Sequence, residues 1–174
     1  GNISGYSYGL GGIVGNANAS TKFNKCANLG NIEDTRNVVG GIVGLCSSTV
    51  KNSYNTGNIT GTTNAGGLIG HHSGGTVAEN CYNLGTVTAT NADGKSAAFT
   101  TCNMAKTFVV KNCYNTGEII SSSKSQDLIA YTAASGAVTY TNCYQLTASE
   151  DTSNISGVIF VDAQALKTAA LGTG

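Results

Sequence analysis

A six-residue element recurs along this chain and limits the possible folds more than anything else in it. It reads Asn112-Cys113-Tyr114-Asn115-Thr116-Gly117, then Asn80-Cys81-Tyr82-Asn83-Leu84-Gly85 and Asn52-Ser53-Tyr54-Asn55-Thr56-Gly57. Looser copies stand at Lys25-Cys26-Ala27-Asn28-Leu29-Gly30 and Asn142-Cys143-Tyr144-Gln145. Their second positions (26, 53, 81, 113 and 143) are separated by 27, 28, 32 and 30 residues. Self-similarity at such a period marks a stacked repeat protein.

Each repeat carries three short strand-like arms. The first is Gly11-Gly12-Ile13-Val14-Gly15, Gly40-Gly41-Ile42-Val43-Gly44 and Gly66-Gly67-Leu68-Ile69-Gly70, with weaker copies Ala97-Ala98-Phe99-Thr100 and Leu128-Ile129-Ala130. Paired glycines before two apolar residues suit a turn at positive φ followed by a buried strand. The second arm places apolar residues (Val50, Val77, Val109-Val110) before the Asn-Cys-Tyr-Asn element. The third is Gly30-Asn31-Ile32, Gly57-Asn58-Ile59, Gly85-Thr86-Val87 and Gly117-Glu118-Ile119. One arm cannot bury its apolar face alone, whereas stacked coils form parallel sheets around a continuous core. The expected fold is therefore all-β: a right-handed, three-sided parallel β-helix (solenoid) of about five coils, roughly 24 Å tall at about 4.8 Å per coil, with a short C-terminal helix.

Residues 1–146 form the solenoid in this reading. Its N-terminal coil is expected to be truncated, because Gly1-Asn2-Ile3-Ser4-Gly5 matches Gly57-Asn58-Ile59-Thr60-Gly61. Polar insertions at 88–95, 101–107 and 121–127 suit an exposed rim. Residues 147–174 read as a loop (147–154), a strand (Val158-Ile159-Phe160-Val161) and a helix over 163–171 with Asp162 as its N-cap, serving as cap or linker.

Charge narrows the possible partners. Nine basic and nine acidic residues cancel, and charged residues are only 10% of the chain, so no basic stripe for nucleic acid is present. No apolar run reaches the roughly 18 residues that a membrane span needs. Six cysteines without a Cys-x-x-Cys pair argue against structural zinc. Cys26, Cys81, Cys113 and Cys143 share one repeat column, and Cys46 and Cys102 share a second. These read as ladders of small residues, although a Cys81–Cys113 or Cys113–Cys143 bridge is within reach of adjacent coils.

Stacking makes further columns testable. Lys51, Glu79 and Lys111 alternate in sign two positions before the Cys column, and Asn52, Asn80, Asn112 and Asn142 form a structural amide ladder. For Tyr54, Tyr82, Tyr114 and Tyr144, period-two alternation from Val50, Ala78 and Val110 places Tyr inside and Cys outside. Burial statistics favour the reverse, and a bend at Asn would reconcile the two. The expectation is an inward aromatic stack; an outward one would be a sugar-binding platform.

The paired elements resemble the GLUG repeat, named for its Gly-Leu-x-Gly core. The resemblance rests on Gly12-Ile13-Val14-Gly15, Gly41-Ile42-Val43-Gly44 and Gly67-Leu68-Ile69-Gly70, each followed by the Asn-[Cys/Ser]-Tyr-Asn-x-Gly element or its looser copy. It runs from Gly1 to about Gln145, and coils four and five lack the Gly-Gly pair. The resemblance implies a secreted or wall-attached bacterial protein, such as an IgA peptidase or adhesin, in which the repeat is not the catalytic part. It supplies no catalytic residue.

The competing class is a polysaccharide-degrading β-helix enzyme, which needs clustered carboxylates. Arg36, the only arginine, stands beside Glu33-Asp34 in a turn; Glu79 lies between lysines, and Asp93, Asp127, Glu150 and Asp151 fall in separate loops. His71-His72 reads as a turn-exposed pair, since neighbours in a strand point to opposite faces. No catalytic or metal role, and no cofactor, is assigned. The expected function is non-catalytic: an adhesin surface or rigid spacer at the bacterial cell surface, flanked by further repeats or domains, with a host or bacterial surface protein or glycan as partner. The alternative is a carbohydrate-binding module using an exposed Tyr/polar face.

Overall fold

The computed structural model describes residues 1–102, 104–121, 129–132, 136–146 and 156–161. Coil two shows the plan, with strands Ile32–Asp34, Val38–Gly40, Val43–Cys46, Val50–Lys51 and Tyr54–Asn55. Each pairs in parallel with its equivalents in neighbouring coils, giving, among the described residues, five sheets of four to six strands and a β-solenoid of about five turns. The third arm is one straight strand. The first and second arms are each bent into two, at Gly41-Ile42 and at Asn52-Ser53.

Among the described residues there is no helix. The expected helix at 163–171 and its cap Asp162 lie outside them, as does the loop at 147–154. The expected strand is present: Val158–Val161 adds a sixth rung to the Tyr-bearing sheet by pairing with Cys143–Leu146.

The core is a set of columns running along the solenoid. Ile3, Ile32, Ile59, Val87 and Ile119 pair in register on the third arm. Ile42, Leu68, Phe99 and Ile129 fill the bend of the first arm with no exposed surface. Phe23, Val50, Ala78, Val110 and Tyr140 form a third column. Burying one such aliphatic side chain contributes about 1.5–3 kcal/mol. In coil one the inward residues Ile3, Leu10, Val14 and Cys26 are partly buried and pack against this core.

Two features differ from the sequence expectation. The paired glycines do not adopt positive φ; among the described glycines only Gly74, Gly75 and Gly157 do. They are glycine because neighbouring coils leave no room for a Cβ, which at Gly41 would lie 2.2 Å from the Gly67 carbonyl oxygen and at Gly67 2.2 Å from that of Ala98. Coil four replaces the pair with Ala97-Ala98, yet the ladder continues, with Gly66 paired to Ala97 and Thr100 to Ala130. Positive φ occurs instead at Lys25, Asn52, Asn80, Asn112 and Asn142, between 49° and 56°. Asn tolerates this left-handed region better than most residues, because its short amide can bond locally.

Gly85 tests the close-approach account. An added Cβ there would lie 2.0 Å from the Gly57 carbonyl oxygen, so Gly85→Ala is expected to cost about 1–3 kcal/mol of stability through forced coil separation. Urea denaturation checks this; an unchanged midpoint would contradict it.

Candidate functional surface

The Asn-Cys-Tyr-Asn element is assembled around the left-handed residue. Before it, Val50 points in and Lys51 out; after it, Ser53 is buried, Tyr54 half-buried and Asn55 buried. The left-handed turn resets the alternation, so the expected inward Tyr and outward Cys are reversed. Tyr faces solvent, while Cys81, Cys113 and Cys143 are at most 1% exposed. Each residue of the Cys column donates to the carbonyl two residues back: Cys81 Sγ to Glu79 O (3.2 Å), Cys113 Sγ to Lys111 O (3.0 Å), and Ser53 Oγ to Lys51 O (2.6 Å). A small side chain with one donor is what the site needs, which explains why Ser and Cys both occupy it. All six cysteines are free thiols. Burial pushes Cys46 up to about 11 and holds Cys113 and Cys143 above the ordinary thiol range.

The outward tyrosines stack. Ring centroids of Tyr54 and Tyr82 are 4.8 Å apart with planes 6° from parallel, and those of Tyr82 and Tyr114 are 5.0 Å apart at 9°. These separations match the inter-strand spacing, so both faces of the Tyr82 ring, and one face each of Tyr54 and Tyr114, are spent on neighbouring rings. Burial, with a smaller contribution from the neighbouring phenol, holds Tyr82 and Tyr114 above the usual phenol range. Tyr114 and Tyr144 pair in register, and a hollow of about 270 Å³ there is lined by Asn112, Cys113, Tyr114, Asn142 and Tyr144.

Three amide ladders accompany the rings. The expected outer one runs Asn142→Asn112→Asn80→Asn52, Nδ2 to Oδ1, at 3.2, 3.0 and 3.0 Å, and Asn52 donates on to Asn24, outside the expected column, at 2.7 Å. A second column, Asn2, Asn31 and Asn58, accepts from the backbone N–H of Asn31, Asn58 and Thr86 in turn. The third is buried: Asn28→Asn55→Asn83→Asn115→Gln145 at 2.7, 2.8, 2.7 and 3.1 Å. There each Asn Nδ2 also donates, at 2.8 Å, to the carbonyl of the glycine two residues on: Gly30, Gly57, Gly85 or Gly117. The sequence reading missed this column as a ladder, although the Asn-x-Gly repeat was its signal.

The charged column is present as expected. Lys51 and Glu79 pair at 2.7 Å, and Lys51, with a smaller contribution from Lys111, draws the Glu79 carboxyl below its ordinary range. Glu33 and Asp34 depart from the turn expected of them: both lie in strand Ile32–Asp34, Glu33 exposed and Asp34 1% exposed, with Asp34 accepting backbone N–H bonds from Ser7 and Arg36. Asp127, Glu150 and Asp151 lie outside the described residues.

The histidines do point to opposite faces, but they are not an exposed pair. His72 is completely buried in the column of Cys46; its Nε2–H donates to Ser48 O at 3.1 Å and Nδ1 accepts from the Gly74 N–H at 3.0 Å. The ring meets Phe108 edge-on at 5.9 Å. His71 is partly exposed, 3.7 Å from the Cys102 sulfur. Among the described residues no three His, Cys, Asp or Glu side chains are placed to hold a metal.

No family model, curated protein or solved structure matches this chain. The surface is therefore read from its own geometry.

Two outcomes follow. Asn83→Ala removes one rung and leaves the Gly85 carbonyl and the Asn55 amide short of partners, so it should cost about 2–4 kcal/mol; Tyr82→Ala, on the wet face, should cost about 1 kcal/mol. Equal losses on denaturation would contradict the inward–outward assignment. Burial holds the His71 and His72 imidazoles below the usual histidine range. The folded state thus binds fewer protons than the unfolded chain once the pH drops below about 6.5, and stability, full above that pH, falls as acid is added. The slope is bounded by about 1.4 kcal/mol per pH unit for each histidine and should diminish in His72→Gln. An undiminished slope in that variant would contradict the assignment.

Proposed function

We propose that this chain is a non-catalytic repeat module of a larger bacterial cell-surface or secreted protein, serving as a rigid spacer that presents an adhesion surface. The single observation that carries the reading is the tyrosine stack, in which the Tyr82 ring is covered on both faces by its neighbours, at 4.8 and 5.0 Å. Outward side chains that bond along the axis stiffen a rod. The outer amide ladder and the Lys51–Glu79 pair likewise link coil to coil along the axis. The bacterial and extracellular address rests on the resemblance to GLUG repeats. No helix among the described residues is long and apolar enough to cross a membrane.

Pulling the module between its ends in a single-molecule force experiment tests the rod. Cooperative rupture from full folded length is the expected result; gradual, low-force lengthening coil by coil would oppose it.

A second reading, carbohydrate binding through the Tyr/polar face, is favoured by the outward tyrosines and by the hollow between Tyr114 and Tyr144. A glycan and mucin array settles it. Binding that disappears in a folded Tyr82→Ala/Tyr114→Ala variant would make the column a ligand site, and binding indifferent to those changes would exclude it.

A further inference from the structure

One exposed cluster owes nothing to the ladders. Tyr6 and Tyr8 are 72% and 62% exposed, among the most exposed large apolar side chains described. The Arg36 guanidinium carbon lies over both rings, 3.7 Å from the Tyr8 centroid and 5.1 Å from that of Tyr6. No carboxylate or carbonyl among the described residues takes the guanidinium N–H groups.

Asp34 holds this corner together. Its Oδ1 accepts from Ser7 N–H at 3.1 Å and from Arg36 N–H at 3.0 Å, tying the corner of coil one to that of coil two. A backbone bond from Thr35 N–H to Gly5 O at 3.1 Å adds to the tie. The corresponding corner of coil three is Thr62-Thr63, with neither ring nor cation. Stacking does not require Tyr6, Tyr8 and Arg36, yet the corner brings all three together on the outside.

We propose that Tyr6, Tyr8 and Arg36 form a binding site for a sugar bearing a single carboxylate. The rings hold the flat guanidinium and leave its N–H fork free, a geometry that matches a carboxylate bidentately and that lysine cannot reproduce. The exposed Tyr6 ring offers an apolar face beside a polar hydroxyl, suited to the C–H face of a pyranose. Charge selects against denser anions. Arg36 is the chain's only arginine, Glu33 stands exposed on the same strand as the buried Asp34, and the chain has no net charge. An acidic peptide or a sulfated polymer would meet two carboxylates beside one cation. A lone carboxylate on an otherwise uncharged, hydroxylated body is matched by Arg36 and brings no further negative charge against those two.

The site goes beyond the rod reading and shares no residue with the tyrosine column, so each can fail alone. Titrating the ¹⁵N-labelled chain with 3′-sialyllactose, and with lactose as the uncharged control, tests it. Saturable shifts at residues 6–8 and 35–37 are expected, with lactose at least about tenfold weaker. Arg36→Gln should lose at least about tenfold in affinity, Arg36→Lys should fall between, and Tyr82→Ala/Tyr114→Ala should bind as the parent does. Circular dichroism and the melting temperature confirm that each variant is folded. Absence of saturable shifts, equal response to lactose, unchanged affinity in Arg36→Gln, or tighter binding of a tetra-aspartate peptide would each overturn the proposal.

Discussion

A primary amide inside a protein carries a desolvation cost unless its donors and acceptor are all used. In this solenoid the column Asn28, Asn55, Asn83 and Asn115 meets that demand by repetition. One amide hydrogen goes to the glycine carbonyl two residues on, and the other goes to the amide oxygen of the next coil. Gln145 receives the last of these bonds and returns its own Nε2 to the Leu146 carbonyl. Slipping any coil by one residue would bury an unpaired amide and expose an apolar column, so the ladder fixes register as well as stability.

Both glycine columns follow from that network. The side chain of Asn55 fills the place where a Cβ on Gly41 would sit, and that of Asn83 does the same at Gly67. On the other side, Gly57, Gly85 and Gly117 bring their carbonyls close enough for the amide, with a Cβ excluded by the glycine carbonyl of the preceding coil at 2.0 Å. The Gly-Gly and Asn-x-Gly elements, separate in sequence, are two walls of one slot. The outer ladder from Asn142 to Asn24 donates toward the N-terminal coil, whereas the buried one donates toward the C-terminal coil. The two rows of side-chain amide dipoles therefore oppose one another.

Much of this was legible from spacing alone. Once the period is recognised, parallel stacking, the Lys51–Glu79 pair and the outer Asn ladder follow, because equivalent residues must meet at the inter-strand distance. Facing direction was harder to read. Alternation counted from Val50 fails at Asn52, where one residue at φ 49° shifts everything after it by one face. The same turn carries Cys inward and Tyr outward. His72 escaped because its partners, the Ser48 carbonyl and the Gly74 N–H, are backbone groups that leave no mark on sequence. The corner of Tyr6, Tyr8 and Arg36 stands outside the repeat, so a reading organised by period passes over it.

The lock on register depends on the buried amides being closed to water. Hydrogen exchange of the side-chain NH₂ groups of Asn55, Asn83 and Asn115, followed by NMR on the folded chain, measures this directly. The ladder predicts exchange as slow as that of the core backbone amides, while the outer amides of Asn80 and Asn112 exchange much faster. Equally fast exchange at the inner and outer columns would contradict the claim that this ladder locks the solenoid.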